Sequence, residues 1–478
     1  NKYCNKIYIT DDNPRNESPE KIRNEIKRKI IKSKILEIPQ RKKAIEQAVI
    51  NLNSGEILVV AGKGHENIQD YGKSKRFFSD KNVIIKSIKK KNKDLSKNIK
   101  LNILKEQSNS ELNLISKKLN KASMNSKEIK KNDIFFAIKG KKKDGNFYVD
   151  EAFKKGASLA IVDKIKNLKT KNKQIKVLNT LKFLTKSSKI VRENFLGKII
   201  AITGSCGKTS LKELLGETIN KYSTVTTSPK SFNNKYGVPL SLFNLNLNHK
   251  NGIFEVGMDK KGEINFLSKI INPDIGVITN ISYAHAKNFK NLYQIAKAKS
   301  EIIYNIKKNG SLILNADDKF FNFHKRIGVK RKLKIYSFSL KKAKDIHLVS
   351  IKKESKRYKI FIKINEQKKY FFVNSVYENY LKNFLACITI LHILDHINYL
   401  NPFSFYKNKI PQGRGDISKI NLRNKKLFLI DESYNSNPLS LKSAIKNFDL
   451  IKVKSNKKHF IMGDMLELGK HSKRLHIN

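Results

Sequence analysis

Short apolar runs alternate along the chain with segments whose apolar residues recur at helical spacing. The runs at 199–202 and 275–279 are rich in β-branched residues, which is typical of strands buried in a parallel sheet. Three leucines at helical spacing follow the first run, within residues 211–215. The pattern therefore predicts an α/β protein in which strands and helices alternate.

This alternation restarts several times, and 478 residues are enough for three or more domains. One stretch interrupts it, because the lysine-rich residues near position 90 show little periodicity and favour a linker. We expect the following segments: 1–88, an α/β fragment; 89–108, a basic linker; 109–197, a small α/β domain; 198–410, a central domain with a parallel sheet; and 411–478, the start of a third domain.

A glycine-rich turn joins the first buried run to the helix pattern that follows it. Its residues are Gly204, Ser205, Cys206, Gly207, Lys208, Thr209 and Ser210. In such a loop, backbone N–H groups and the helix N-terminus bind phosphate, the lysine reaches the outer phosphates and the threonine hydroxyl binds Mg²⁺. The usual motif has four residues before its Gly-Lys pair and this one has two, so the flanking strand and helix support the prediction. We expect nucleoside triphosphate chemistry here, with Cys206 filling a loop position.

Two other polar side chains, Glu255 and His285, are expected at or just beyond strand ends near this loop. Open α/β sheets bind their ligands at the carboxyl ends of the strands. Together with Thr209, both are candidate Mg²⁺ ligands, although imidazole is an unusual partner for so hard a cation. A structural role, satisfied by hydrogen bonds within the protein, is an equally good interpretation of either side chain.

The formal net charge of +58 would ordinarily indicate a nucleic acid or an anionic membrane as partner. However, the chain has 87 lysines and 12 arginines, and the lysines are spread over every segment. We interpret the charge as compositional drift and expect no specific nucleic acid partner. A basic nucleic-acid-binding NTPase would require clustered arginines and aromatic platforms, which the sequence does not show.

The three cysteines, Cys4, Cys206 and Cys387, form neither a metal-binding spacing nor a disulfide framework. This usage fits a reducing cytoplasm, where disulfides are rare. No apolar run approaches membrane-spanning length, so we expect no membrane insertion. The chain begins with Asn1, and a preceding signal sequence is left open.

Segments from about residue 110 to the end resemble the Mur ligase family, and most of all its members that add D-alanyl-D-alanine. The likeness rests on the glycine-rich turn and on further motifs in matching order: Asn233-Asn234-Lys235-Tyr236-Gly237, Phe254 to Met258, Ala284-His285, Ala298-Lys299-Ser300-Glu301, Asn315-Ala316-Asp317-Asp318, Asp431 to Pro438, and Gly463 to Gly469. The resemblance implies ATP and Mg²⁺ as cofactors. It also implies UDP-N-acetylmuramoyl-tripeptide and D-alanyl-D-alanine as substrates, joined through an acyl phosphate in peptidoglycan precursor synthesis.

The same resemblance implies roles for individual residues. Lys208, His285 and Lys299 would be catalytic, and Lys299 occupies a position that several family members fill with a lysine carbamylated by CO₂. Asn315, Arg414 and Asp431 would contact the nucleotide, and Asn233, Asn234 and Ser126 the substrate. Departures from the family pattern at Asn125-Ser126-Lys127 and Asp144-Gly145-Asn146 leave the uridine contacts open. A further departure at Tyr377-Glu378-Asn379 leaves a nucleotide-side contact open. The third domain is expected to be an incomplete Rossmann-like ligase domain.

In the first 88 residues, strands are predicted at 6–10 and 57–61, and a signature follows each of them. The first signature is Asp12-Asn13-Pro14-Arg15 and the second is a glycine-rich turn at 62–66. Each alone could equally be a solvated turn. The segment resembles the C-terminal domain of the family member that adds diaminopimelate. By that resemblance Asn13, Arg15, Gly62 and Glu66 would contact an amino acid.

Two other readings stay open: another ligase of this superfamily, such as a folylpolyglutamate synthase, and an incomplete, inactive fusion fragment. The first would not explain the motif at Gly463 to Gly469. We expect a cytoplasmic monomer, and the general base for the incoming amine is not identified by the sequence.

Overall fold

The computed structural model describes residues 4, 6–30, 34–52, 56–63, 66–108, 119–140, 142–166, 168–355, 357–406, 408, 410–422, 425–451 and 458–477. The contacts within the chain divide it into two compact units, Asn1–Leu101 and Asn102–Asn478. None of the helices formed by these residues combines the length and the apolar character needed to cross a membrane.

The first unit combines a parallel strand pair, an antiparallel hairpin and three helices. Its elements are β1 (Lys6–Ile9), α1 (Pro19–Arg28), β2 (Lys34–Glu37), α2 (Arg41–Asn51), β3 (Ile68–Asp70), β4 (Lys75–Phe77) and α3 (Asp80–Ser108). Strands β1 and β2 are parallel, whereas β3 and β4 are antiparallel. The helix α1 begins after Ser18, whose hydroxyl accepts a hydrogen bond from the N–H of Lys21, with Pro19 in the first turn.

One strand prediction for this unit is wrong, and the predicted linker is helical. Residues 57–61, predicted as a strand, are not part of any strand, and Ile57 is 90% exposed because no neighbouring strand among the described residues pairs with it. The basic stretch 89–108, predicted as a linker, continues the helix α3. Lysine is a good helix former, so weak apolar periodicity did not prevent helix formation there. The division between the two units falls inside this helix.

The second unit begins with a small parallel sheet. Its elements are β5 (Ala122–Ser123), β6 (Ile134–Phe136), α4 (Val149–Lys154), β7 (Leu159–Val162), β8 (Gln174–Lys176) and α5 (Thr180–Glu193). The four strands are parallel and lie in sequence order. All residues of β6 and β7 are buried, as expected for strands covered on both faces.

A nine-stranded sheet forms the centre of this unit. Its strands are β9 (Lys198–Thr203), β10 (Val225–Thr227), β11 (Asn251–Glu255), β12 (Ile275–Ile278), β13 (Ser311–Asn315), β14 (Lys334–Ser339), β15 (Ile346–Glu354), β16 (Arg357–Ile364) and β17 (Gln367–Val373). The helices are α6 (Lys208–Asn220), α7 (Gly237–Phe243), α8 (Glu263–Ile271), α9 (Leu292–Lys299), α10 (Phe321–Lys330) and α11 (Glu378–Ile393).

The strand order is β10-β11-β9-β12-β13-β14-β15-β16-β17. The pairs β15–β16 and β16–β17 are antiparallel, and the other pairs in this sheet are parallel. Strand β9 lies between β11 and β12, so the carboxyl ends of these three parallel strands meet at one edge. Leu211 and Leu215 on α6 and Phe384 on α11 belong to the same buried apolar cluster as the sheet residue Ile202. This packing fixes the start of α6 above the end of β9.

The last segment adds an antiparallel pair and two helices: β18 (Asp416–Leu422), β19 (Lys425–Asp431), α12 (Pro438–Leu450) and α13 (Ser472–Ile477). Asn437 caps α12, since its side chain accepts hydrogen bonds from the N–H groups of Leu439 and Ser440. The α/β fold class predicted from the sequence is confirmed.

Candidate active site

A cavity of about 1110 Å³ lies at the carboxyl edge of the nine-stranded sheet. The turn between β9 and α6 lines it, together with side chains from β11, α8, α9 and α11 and from the segment after residue 410. Six of the seven residues of the predicted phosphate loop therefore line this cavity, and Gly204 does not. This is the edge at which open α/β sheets bind ligands.

The two loop glycines are required by space as well as by backbone conformation. Gly204 has a φ of 148°, and a Cβ atom there would lie 1.9 Å from Oγ1 of Thr279. Gly207 has a φ of 82°, and its Cβ would lie 2.7 Å from Oδ1 of Asn383. Any other residue at either position would force the loop away from β12 or α11.

The backbone donors at this turn differ from the prediction. The N–H groups of Ser205 and Cys206 donate to the main-chain oxygen and Oδ1 of Asn280, so Asn280 holds the turn itself in place. Helix α6 starts at Lys208 without a side-chain cap. Its first-turn N–H groups therefore remain the donors for a phosphate group, with the positive end of the helix dipole behind them.

Lys208 folds back over the turn, and its ammonium group donates to the main-chain oxygen of Gly204 at 2.8 Å. The Sγ of Cys206 lies 3.1 Å from Oδ1 of Asn437, the cap of α12. Burial raises the pKa of the Cys206 thiol. A buried thiol with a raised pKa is a poor nucleophile, which agrees with its interpretation as a loop residue.

Thr209 and Glu255 meet at the ends of α6 and β11. The Thr209 hydroxyl donates to Oε2 of Glu255 at 2.7 Å, and Nδ2 of Asn233 donates to Oε1 at 2.7 Å. Glu255 is 1% exposed, so its charge is removed from water. A buried carboxylate beside a hydroxyl is the oxygen donor set that Mg²⁺ prefers, and these two residues fit that ion.

The neighbouring Asn234 caps a turn: its Oδ1 accepts from the N–H groups of Tyr236 and Gly237, and its side chain also lines the cavity. Ser126, by contrast, does not line it. The Ser126 hydroxyl is buried and donates to Oε2 of Glu151 at 2.8 Å. Its predicted substrate contact stays a prediction.

Lys299 is the last residue of α9 and lies 2% exposed at the cavity wall. Its side chain makes no hydrogen bond or ion pair with the residues that the structure describes. Burial, and next to it the positive charge of Lys208, lower the pKa of Lys299 well below its ordinary value. Burial and the neighbouring cation therefore favour the neutral amine of Lys299 over its ammonium form.

His285 lies in the loop after β12, with a φ of 55°. Its Nδ1 is hydrogen-bonded to Oε2 of Glu467, from the segment that precedes α13. Burial lowers the pKa of His285, the Glu467 charge opposes this effect, and the charges of Lys208 and Lys299 add to it. The structure thus brings His285 into the same cavity as the phosphate loop.

Of the three nucleotide contacts predicted outside the phosphate loop, Arg414 lines this cavity and the other two do not. Its guanidinium donates to Oγ1 of Thr209 at 3.1 Å and stacks over the ring of Tyr434. Asp431 does not line the cavity; hydrogen bonds from Ser433 lower its pKa. Asn315 does not line the cavity either, and its Nδ2 donates to the main-chain oxygen of Thr279.

Several cavity residues were not assigned a role from the sequence. Asn280 holds the phosphate loop, Asn383 faces Gly207, and Glu467 contacts His285. Asn379 and Asn383 are four residues apart, hence on one face of α11, and that spacing was a signal available in the sequence. No local signal links Glu467 to His285, because 182 residues separate them.

In the first unit, Asn13 and Glu66 are in direct contact, since Nδ2 of Asn13 donates to Oε2 of Glu66 at 2.6 Å. Gly62 has a φ of 113°, and a Cβ there would lie 2.8 Å from Oδ2 of Asp12. Arg15 has a φ of 51° and an exposed side chain. The two signatures therefore converge, while Gly64 and His65 of the second one lie outside the described residues.

A glycine-rich turn at a helix N-terminus, a lysine over it and a buried Thr–Glu pair define an α/β nucleotide-binding protein with a phosphate loop. Residues 202–391 match the Mur ligase middle domain, residues 119–195 the Mur ligase family catalytic domain and residues 1–64 the Mur ligase glutamate ligase domain. The chain belongs to the Mur ligase family.

Two similar relatives are ligases of the same name. The UDP-N-acetylmuramoyl-tripeptide–D-alanyl-D-alanine ligase of Rickettsia prowazekii is 35% identical over 360 residues, which is 75% of this chain and 78% of the relative. The ligase of the same name from Buchnera aphidicola subsp. Baizongia pistaciae is 34% identical over 72% of this chain and 73% of its own.

Solved structures agree with this likeness. A crystal structure of MurF from Acinetobacter baumannii is 25% identical, with a TM-score of 0.67, over 78% of this chain and 81% of that one. The MurF ligase of Thermotoga maritima in complex with ADP is 26% identical, with a TM-score of 0.64. The match covers 76% of this chain and 81% of that one.

Proposed function

We propose that this chain is an ATP-dependent amide ligase that adds D-alanyl-D-alanine to UDP-N-acetylmuramoyl-tripeptide through an acyl phosphate. The observation that carries the proposal is the single cavity in which a phosphate loop, the Thr209–Glu255 pair, His285 and Lys299 meet. The names of the relatives supply the substrates, and the ADP complex of one of them supports ATP as the nucleotide.

The reaction requires a carboxylate to be activated before an amine can attack it. An oxygen of the tripeptide carboxylate attacks the terminal phosphorus of ATP, and ADP leaves. The amine nitrogen then attacks the acyl carbon, loses a proton, and phosphate leaves. Lys208 and the N-terminus of α6 would offset negative charge on the transferred group, which is catalysis by positioning and electrostatics.

Thr209 and Glu255 would hold Mg²⁺ through their side-chain oxygens, and His285 is a further candidate ligand. When bound, the ion would neutralise charge on the nucleotide phosphates. Arg414 would contact the nucleotide from the third segment, since it already bonds Thr209. The predicted contacts of Asn233 and Asn234 with substrate are supported by their position at the cavity wall.

A folylpolyglutamate-type ligase is the alternative within the superfamily. The first unit is proposed to carry an amino-acid site of the diaminopimelate-adding type, which the Asn13–Glu66 contact supports. A monomeric state and a cytoplasmic location stay predictions.

The test of the proposal is release of ADP and phosphate by the whole chain. We expect release only when ATP, UDP-N-acetylmuramoyl-tripeptide and D-alanyl-D-alanine are all present. Lys208→Ala should abolish it, because the Lys208 ammonium is the positive charge held directly over the loop. Lys198→Ala, at the exposed start of β9, is the matched control and should retain activity. Equal turnover with tetrahydrofolate and glutamate would overturn the assignment.

A further inference from the structure

The turn around Glu467 docks on the loop that carries His285. The N–H of Lys287 donates to the main-chain oxygen of Glu467 at 2.8 Å, and Nε2 of His471 is 3.0 Å from the main-chain oxygen of Phe289. Arg474 adds a hydrogen bond to the hydroxyl of Tyr283 at 3.1 Å. The turn is therefore held by several contacts that do not involve the Glu467 side chain.

Both partners of the central contact have a left-handed backbone. His285 has a φ of 55° and Glu467 has a φ of 63°. Residues other than glycine rarely adopt this backbone conformation. Such a residue is strained and persists where the surrounding structure determines it, often at functional sites. Gly469 permits the close approach of the two loops, because a Cβ atom there would lie only 2.7 Å from Cα of Lys287.

The contact involves one particular imidazole nitrogen. Because an ionised carboxylate can only accept, Nδ1 carries the proton of the neutral ring and Nε2 carries the lone pair. His285 is among the residues that line the cavity. A carboxylate that bonds the far nitrogen of a histidine fixes both its tautomer and its ring orientation. The mechanism proposed above uses His285 but assigns nothing to the group that orients it.

We propose that Glu467 is a positioning residue, which holds His285 through Nδ1 so that Nε2 presents its lone pair to the reaction cavity. This inference rests on the proposed function for its catalytic consequence, but not for its geometry. The segment after residue 410 would then contribute to the cavity in two ways. Arg414 contacts Thr209, and the turn around Glu467 orients His285.

Direct metal binding by the same side chains is the competing explanation. Asp259, His285 and Glu467 have potential ligand atoms within 4.8 Å of one another. However, the ammonium of Lys287 lies 3.4 Å from Oδ1 of Asp259 and 3.6 Å from Oε1 of Glu467, and thus already supplies a cation between the carboxylates. The geometry favours an orienting carboxylate over a metal site.

The first test measures the tautomer of His285 by ¹⁵N NMR of histidine-labelled full-length protein, with the signal assigned through His285→Ala. We expect the Nδ1–H form in the wild type and in Glu467→Gln, whose amide oxygen still accepts the bond. Glu467→Ala should give a mixture of tautomers. Asp464→Asn removes a neighbouring exposed charge and should change nothing. An unchanged tautomer in folded Glu467→Ala would overturn the proposal, whether or not the chain is a ligase.

The second test measures ligase activity against Mg²⁺ concentration. Glu467→Ala should lower kcat about 10- to 100-fold and raise the Mg²⁺ concentration needed for half activity. Glu467→Gln should recover most of this loss, whereas a structural role alone would not depend on the accepting oxygen. Stoichiometric binding of Mn²⁺ without nucleotide, lost equally in Asp259→Asn and Glu467→Gln, would overturn the proposal in favour of direct metal binding.

Discussion

At the scale of single residues, Lys299 is the most unusual group in the cavity. Its side chain is 2% exposed and its pKa is lowered well below the ordinary lysine value, chiefly by burial and next by Lys208. A neutral amine reacts with CO₂ to form a carbamate and release one proton. A carbamate would turn a buried cation into an anionic group, which suits a site with metal ions and phosphates.

We predict that Lys299→Ala is nearly inactive and that acetate partly restores its activity, because a small carboxylate can replace the carbamate. Lys297, two residues earlier on α9, is exposed and provides the control. Lys297→Ala should retain nearly full activity. Steady-state rates with and without acetate measure this. Full activity of Lys299→Ala in buffer depleted of CO₂ would show that the site does not need this lysine.

At the scale of elements, helices α9 and α10 are joined by a buried histidine. Nε2 of His324, which is 2% exposed, is 3.1 Å from the main-chain oxygen of Ala296. Burial lowers the pKa of His324 to about 4, against a partly opposing effect of this hydrogen bond. The contact therefore links the stability of α9, which carries Lys299, to the neutral state of one imidazole.

We predict that the protein loses stability as pH falls from about 6.5 to about 4. The unfolded chain binds a proton at His324 in this range and the folded chain does not, so unfolding is favoured by up to about 1.4 kcal/mol per pH unit. Melting temperatures of His324→Gln should fall less over this range than those of the wild type. His459→Gln, at an exposed position, is the control. Parallel curves for His324→Gln and the wild type would contradict the prediction.

At the scale of the whole molecule, the net charge of +58 is the dominant feature. Ten of the 99 basic residues line the cavity, and the others lie elsewhere in the chain. Scattered lysines attract any polyanion without distinguishing base sequences, because they contact phosphates and not base edges. The charge alone therefore indicates no specific partner.

We predict weak DNA binding that is indifferent to sequence and falls steeply as salt rises. Fluorescence anisotropy with two unrelated duplexes, from 50 to 200 mM salt, measures both properties. The dissociation constants of the two duplexes should agree at each salt concentration. A tight, sequence-selective complex at physiological salt would show that the charge serves nucleic acid recognition.

Local sequence was sufficient for the elements around the phosphate loop. The apolar run 199–202 became β9, and the leucines that follow it lie on α6. The α/β class and the family were also accessible, because strand and helix periods and short motifs depend on neighbouring residues. The strand predicted at 57–61 is wrong, because strand formation needs a pairing partner that a local pattern does not specify. The helical state of 89–108 was not predicted either, because its apolar periodicity is weak.

Only the tertiary structure decided which distant groups meet. It placed β9 between β11 and β12, brought Glu467 to His285 and Asn383 to Gly207, and buried Lys299. It also turned Asn315 away from the cavity. The physical reason is that the strand order and the packing of separate segments set these distances and this burial. No residue pattern along the chain encodes them locally.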